Sequence, residues 1–380
     1  MPPAVITHCI APGLVLRGRE LWPEAIPAIA ALGRRPLLVG RSGSTLPHRR
    51  KLRDRLQGHG LQVRMADLRH DCCNDDLQRL QDAALAGTES TAVDGAAEGP
   101  CDLIVAMGGG KVLDAGKLVA HRLSLPCVTV PTSAATCAGW TALSNLYTPQ
   151  GAFEGDVSLG RCPDLLVFDH DLVRQAPIRT LVSGIADAMA KWYEASVSSA
   201  HSGDGLVQQA VQQARLLRDQ MLLDGVAAVA DPTSEAWVRV AEGAALTAGL
   251  IGGLGGARCR TVAAHAVHNG LTQLPATHGS LHGEKVGFGI LAQLRLEEVL
   301  GGSRLAGQAR HQLLGFFRSL ALPCELADLG LMNASLQDLT QVCAHACRDG
   351  SDLHHLPFSV TPNDLLAALV NTTCPVMPVG

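Results

Sequence analysis

Residues 101–117 read CDLIVAMGGGKVLDAGK. The run from Leu103 to Met107 is short and wholly apolar, which fits a strand buried on both faces, as in a parallel sheet. From Val112 onward the spacing becomes that of an amphipathic helix. Three consecutive glycines join the two segments. Without side chains they let the backbone approach a pyrophosphate closely, and the helix start beside them offers free N–H groups and a favourable dipole. The turn is neither GxGxxG nor a Walker A loop, because no Lys-Ser or Lys-Thr follows at the required spacing. A glycine-rich turn alone is often only a tight turn; Lys111 and Asp114 make the pattern a more specific GGGKxxD.

The same alternation extends on both sides. RRPLLVGR, LQVRMAD, LPCVTVPT and PDLLVFD are strand-like, while LPHRRKLRDRLQGHG and NDDLQRLQDAALAG are helix-like. This predicts a parallel sheet covered by helices. Residues 87–99, GTESTAVDGAAEG, lack periodicity and read as a surface loop or insertion. After Asp169 the strand signals stop, and the chain continues as a succession of helices. The expected architecture is α/β plus all-α: a Rossmann-like nucleotide-binding domain over 1–176 and a helical metal- and substrate-binding domain over 177–380. The site is expected in the cleft between them.

With 380 residues, 47% hydrophobic and 17% charged, the chain is globular and long enough for two cores. A net charge of −4 gives no footprint for nucleic acid or anionic membrane. The uncharged stretch from Leu123 to Phe153 carries Pro126, Pro131 and Pro149, so strand and loop are expected, not a membrane helix. No basic start followed by a sustained apolar run opens the chain, and its 12 cysteines are scattered, so a reduced cytoplasmic protein is expected. Cys343, His345 and Cys347 are a poor zinc site: on a helix His345 points away from the two thiols.

Four histidines fall between Ala263 and Gly289, in AAHAVHNGLTQLPATHGSLHGEKVGFG. His265 and His268 share one face of a helix. Pro275 and Gly279 break and return the chain, bringing His282 back toward His265. Two imidazoles hold a divalent ion weakly, so a carboxylate is needed as third ligand. The candidate is Asp187, in SGIADAMAKWYEA. The competing possibility is an accidental cluster of structural histidines. His278 reads as a solvated loop residue.

Taken in order, GGGKVLDAGK, VPTSAATCAGWTALSNLYT, GIADAMAKWYEA and AAHAVHNGLT with HGEKVGFG resemble the glycerol dehydrogenase group of the iron-containing, metal-dependent alcohol dehydrogenase superfamily. The resemblance implies a metal held by Asp187, His265 and His282; two His and one carboxylate suit zinc or iron, and zinc is expected ahead of iron. It implies a cofactor loop of Gly108, Gly109, Gly110, Lys111 and Asp114. Thr132, Ala135, Thr141, Leu143 and Tyr147 fall where that group contacts the nicotinamide half, and His268 matches a histidine near the substrate. A homo-oligomer is also implied.

Three departures bear on substrate and cofactor. The glycerol enzymes carry an Asp that hydrogen-bonds the polyol, where this chain has Cys137. A thiol cannot accept hydroxyl hydrogen bonds as a carboxylate does, and a negative charge is lost. Arg258 and Arg260 precede His265 where the group has small residues, and an Arg fork matches a carboxylate. Arg41 follows PLLVG where the group often has an acid for the ribose hydroxyls, so NADP(H) is expected ahead of NAD(H). The TCAGW motif with Cys137 and the GLGxxxxR pattern ending at Arg260 look like the 2-hydroxycarboxylate dehydrogenase branch, and the expected reaction is metal-assisted hydride transfer between NAD(P)H and a small 2-oxoacid. Arg260 would anchor the carboxylate and His268 would help move the proton. The alternatives are a glycerol or polyol dehydrogenase, a lyase similar to dehydroquinate synthase, and a non-catalytic scaffold or sensor.

Overall fold

The computed structural model describes residues 7–87, 99–199, 201–256 and 259–376, and forms two compact units, Met1–Pro177 and Ile178–Gly380. Most of the 87–99 segment, and Arg258, lie outside the described residues.

In the first unit the strands are β1 (Leu14–Gly18), β2 (Pro36–Gly40), β3 (Arg64–Asp67), β4 (Leu103–Gly108), β5 (Cys127–Pro131), β6 (Leu143–Tyr147), β7 (Phe153–Ser158) and β8 (Leu165–Asp169). Helices α1 (Trp22–Ala30), α2 (Leu46–Gly58), α3 (Asn74–Leu85), α4 (Gly110–Leu123) and the short α5 (His170–Val173) connect or follow them. Six strands form a parallel sheet in the order β1-β8-β5-β4-β2-β3, and β6 pairs with β7 as an antiparallel ribbon. The period-2 pleat divides the core between two faces. Ile104 and Ala106 pack with α3 and α4 residues such as Leu77 and Leu118, whereas Leu103, Val105 and Met107 pack with Ile29 and Leu52 of α1 and α2. From β2 the chain moves outward to β3 and then returns to β4 on the other side of β2. That reversal leaves the C-terminal ends of β2 and β4 adjacent, where an α/β sheet opens a crevice for a ligand.

The second unit is helical: α6 (Ile178–Ser198), α7 (Gly205–Ala230), α8 (Glu235–Glu242), α9 (Ala248–Gly255), α10 (Ala263–Leu271), α11 (His282–Val299), α12 (Arg304–Ser319), α13 (Leu336–Ala346) and α14 (Pro362–Val370). Val262, Val267, Phe288, Leu296, Val342 and Leu365 lie in one buried cluster shared by α10, α11, α13 and α14. Among the described residues no helix is long and apolar enough to cross a membrane.

Candidate metal centre and nucleotide turn

Glycines decide where the metal-binding side chains meet. At Gly283 a Cβ would fall 1.8 Å from the Ser183 carbonyl oxygen, and at Gly289 it would fall 2.3 Å from that of Ala264. Only glycine lets α11 lie this close to α6 and α10. The Gly283 N–H donates to Ser183 Oγ at 3.0 Å, which seats the start of α11 one helical turn from Asp187. Glu284 accepts from the Leu281 N–H at 2.7 Å and pairs with Arg179, whose guanidinium also donates to the Gly279 carbonyl at 3.0 Å. His282, the first residue of α11, is therefore held from both sides. Gln293, fully buried, accepts from the Ala264 N–H and donates to the Tyr193 carbonyl, joining the same three helices.

The result is a cluster of Asp187, His265 and His282 whose ligand atoms all lie within 4.8 Å of one another. Asp187 Oδ1 is 3.5 Å from His265 Nε2 and 3.4 Å from His282 Nε2, and it is buried without a hydrogen bond. A buried carboxylate oxygen left unsatisfied is costly unless a cation takes it. Two atoms each bound at the usual zinc distances in a tetrahedral shell stand roughly 3.4 Å apart, so these separations fit one ion with a position left open. Burial opposes ionisation of Asp187, but Lys191 and the two imidazoles hold its carboxyl well below the usual carboxylate range.

The outer nitrogens are engaged as well. His265 Nδ1 lies 2.6 Å from Glu194 Oε2. Burial disfavours the His265 imidazolium, yet Glu194 and Asp187 outweigh it and push the pKa up to about 9 in the metal-free protein. His282 Nδ1 lies 2.9 Å from His268 Nε2, and His268 Nδ1 lies 2.9 Å from Asn269 Oδ1. Burial and the neighbouring His282 and Lys285 keep His268 neutral, with a single N–H. If Nδ1–H donates to Asn269, Nε2 accepts from His282, which turns the lone pair of His282 Nε2 toward Asp187. Both ring nitrogens of His268 are thus occupied, and the partner it touches is a ligand of the cluster.

Glu194 went unnoticed in the sequence. Its signal was the seven-residue separation from Asp187, two turns along one helix face. Arg260 is half-buried; its stem lies over Gly252, where a Cβ would come within 2.9 Å of it, and its Nε is buried without a partner. His278 is exposed, with Nε2 3.0 Å from the Thr272 carbonyl oxygen. Among the described residues no second cluster could hold a metal; His345 pairs with Arg348, and burial pushes the Cys343 thiol up to about 12.

In the first unit the glycines of the turn have separate tasks. A Cβ at Gly108 would strike Val112 at 2.7 Å, one at Gly116 would strike Ala106 Cβ at 2.3 Å, and Gly109 faces open space. The turn is tight and α4 lies close on the sheet; the Val112 and Leu113 N–H groups donate to the Gly109 carbonyl, and helix geometry leaves those of Gly110 and Lys111 without an intrahelical acceptor. The polar side chains look inward. Lys111 pairs with Asp71, its ammonium 4.9 Å above the Tyr147 ring. Asp114 is buried, pairs with Lys117 at 3.1 Å and accepts from the Asn145 N–H. Lys117 donates to the Thr141 and Leu143 carbonyls. Thr132 donates its N–H to the Gly108 carbonyl at 3.0 Å; Ala135 and Cys137 lie half-buried on the loop that follows, and Tyr147 is buried. Arg41 is exposed at the end of β2.

The family model for iron-containing alcohol dehydrogenase matches residues 12–170. A glycerol dehydrogenase of Thermotoga maritima is 35% identical over 304 residues, 79% of this chain and 78% of that one. Hydroxycarboxylate dehydrogenase A of Escherichia coli is 36% identical over 309 residues, 79% of each chain. The crystal structure of a probable glycerol dehydrogenase from Sinorhizobium meliloti superposes with a TM-score of 0.82 at 30% identity, covering 95% of this chain and 96% of that one. Family membership implies a divalent metal and a nicotinamide dinucleotide. The chain belongs to the iron-containing alcohol dehydrogenase family as a glycerol dehydrogenase-like oxidoreductase acting on CH–OH groups.

Proposed function

We propose that this protein is a metal-dependent dehydrogenase of small polyols, of the glycerol class, linked to NAD(P). The observation that carries the reading is the buried, unsatisfied Oδ1 of Asp187 between two imidazole Nε2 atoms. Asp187, His265 and His282 would hold one divalent ion, which supplies Lewis acidity to the substrate oxygen when bound. The chain's own residues do the rest. Glu194 and His268 orient the two imidazoles, and the backbone N–H groups after Gly109 receive the dinucleotide phosphates. Zinc suits a site of two His and one carboxylate, and iron also suits it.

The 2-oxoacid reading drawn from Cys137 and Arg260 has less support, since glycerol dehydrogenases recur among the relatives. One observation keeps it as the second reading: Arg260 is half-buried and its buried Nε has no hydrogen-bond partner, so the chain itself leaves part of the guanidinium's donor capacity unused. Arg41, exposed after β2, favours NADP(H) by offering its charge to a 2′-phosphate. The test is cofactor oxidation by the zinc-loaded protein with dihydroxyacetone, 2-oxobutanoate and 2-oxoglutarate, each with NADPH and with NADH. Turnover of dihydroxyacetone above the oxoacids is expected. Turnover confined to the oxoacids would overturn the polyol reading, and equal use of NADH would overturn the role given to Arg41.

A further inference from the structure

We infer that Glu194 is the positioning residue of the metal centre: it fixes the tautomer of His265 and thereby sets how tightly the ion is held. The inference rests on the metal reading above. Glu194 is fully buried, and both its oxygens are committed to one short segment. Oε1 accepts from the N–H groups of Val262 at 2.6 Å and His265 at 3.0 Å, and Oε2 lies 2.6 Å from His265 Nδ1. A carboxylate can only accept, so the proton in that contact belongs to Nδ1 whenever the ring is neutral. The lone pair is then on Nε2, the atom that faces Asp187 Oδ1 at 3.5 Å. One helix, α6, thus supplies both a ligand and the group that prepares another ligand. By holding the N–H groups at the start of α10, the same carboxylate also fixes that helix, and His265 with it, against α6.

The alternative is that Glu194 merely fills and caps this corner of the core. The isosteric variant Glu194→Gln separates the two. Its carbonyl oxygen can still accept from Val262 and His265, which preserves the cap. Its amide group, facing Nδ1, is a donor, which drives the proton to Nε2 and removes the lone pair needed for the ion. Glu194→Ala is less informative because it strips the backbone N–H groups as well. Zinc affinity, read by chelator competition in the purified full-length protein, is expected to fall about 10- to 100-fold in Glu194→Gln, with the far-ultraviolet circular dichroism unchanged. A wild-type affinity in that variant would overturn the inference. In a second, independent reading, nitrogen-15 histidine NMR of the zinc-loaded wild type is expected to show His265 protonated at Nδ1 and bound through Nε2. The opposite tautomer would overturn the inference even if Glu194→Gln failed to fold. Wild-type protein that binds no zinc at all would instead remove the metal reading on which the inference stands.

Discussion

Two regions of this molecule prepare for a ligand in opposite ways. In the helical unit the residues around Asp187 leave one buried carboxylate oxygen unsatisfied, with two imidazole nitrogens beside it and their far nitrogens already engaged. In the α/β unit the polar side chains of the glycine turn satisfy one another: Lys111 with Asp71, Asp114 with Lys117 and Asn145, Lys117 with Thr141 and Leu143. What that turn has to offer is shape and backbone N–H groups. A metal site keeps its ligating atoms in waiting, because an ion replaces the missing hydrogen bonds. A dinucleotide turn needs rigid backbone more than free side chains.

The contrast should be hardest to miss in Asp187→Asn. Loss of a Lewis acid costs several kcal/mol of transition-state stabilisation, so kcat/KM should fall by about three orders of magnitude or more. A chelator should lower the melting temperature of the wild type and leave that of the variant unchanged. Retention of more than a tenth of the activity would end the comparison on the helical side.

Gly283→Ala tests the backbone approach that builds the cluster. Its Cβ would press on the Ser183 carbonyl, and overpacking of this kind costs about 1–3 kcal/mol. Lower stability together with weaker zinc binding is expected; lower stability alone would separate the glycine from the site.

The α/β side should respond more gently. Arg41→Asp should shift the preference between NADPH and NADH by roughly tenfold or more toward NADH, the worth of one charge-assisted contact. No shift would place the 2′-phosphate elsewhere. Lys111→Ala should change the KM for the dinucleotide less than about fivefold, because its half-exposed ammonium is already paired with the buried Asp71 and a further ion pair from a side chain half in solvent is weak. A large rise would mean that Lys111 leaves Asp71 for the cofactor.

The smallest expected effect lies near the C-terminal end of α11. Burial pushes the Glu297 carboxyl up to about 7 from 4.5, against the hydrogen bond donated by Gln293. A carboxyl raised in the folded state favours folding at low pH, and that contribution is lost as pH rises from 4.5 through 7. Glu297→Gln should therefore raise stability on the order of 1 kcal/mol at pH 8.5 and leave it unchanged at pH 4. Equal effects at both pH values would locate the cause in packing.

Much of this was legible in the sequence, for identifiable reasons. The parallel sheet was readable because β2, β4, β5 and β8 are buried on both faces and so appear as plain apolar runs. β1 was not, because LVLRG at the sheet edge is half-exposed and mixes polar with apolar residues. Asp187, His265 and His282 were nameable from residue type and spacing, since few side chains bind metals. Glu194 was hidden because a lone Glu on a helix is usually solvated, and only the fold reveals that this one meets His265. Asp114 shows the reverse limit: a motif gives a residue's position in a turn, not the direction of its side chain, which here points to Lys117 and β6.

The most direct test of the central claim is a crystal structure of the zinc-loaded protein with data collected across the zinc absorption edge. One anomalous peak per chain is expected, within about 2.0–2.2 Å of Asp187 Oδ1, His265 Nε2 and His282 Nε2. Zinc bound elsewhere, or an empty cluster in protein that turns over substrate, would contradict the account.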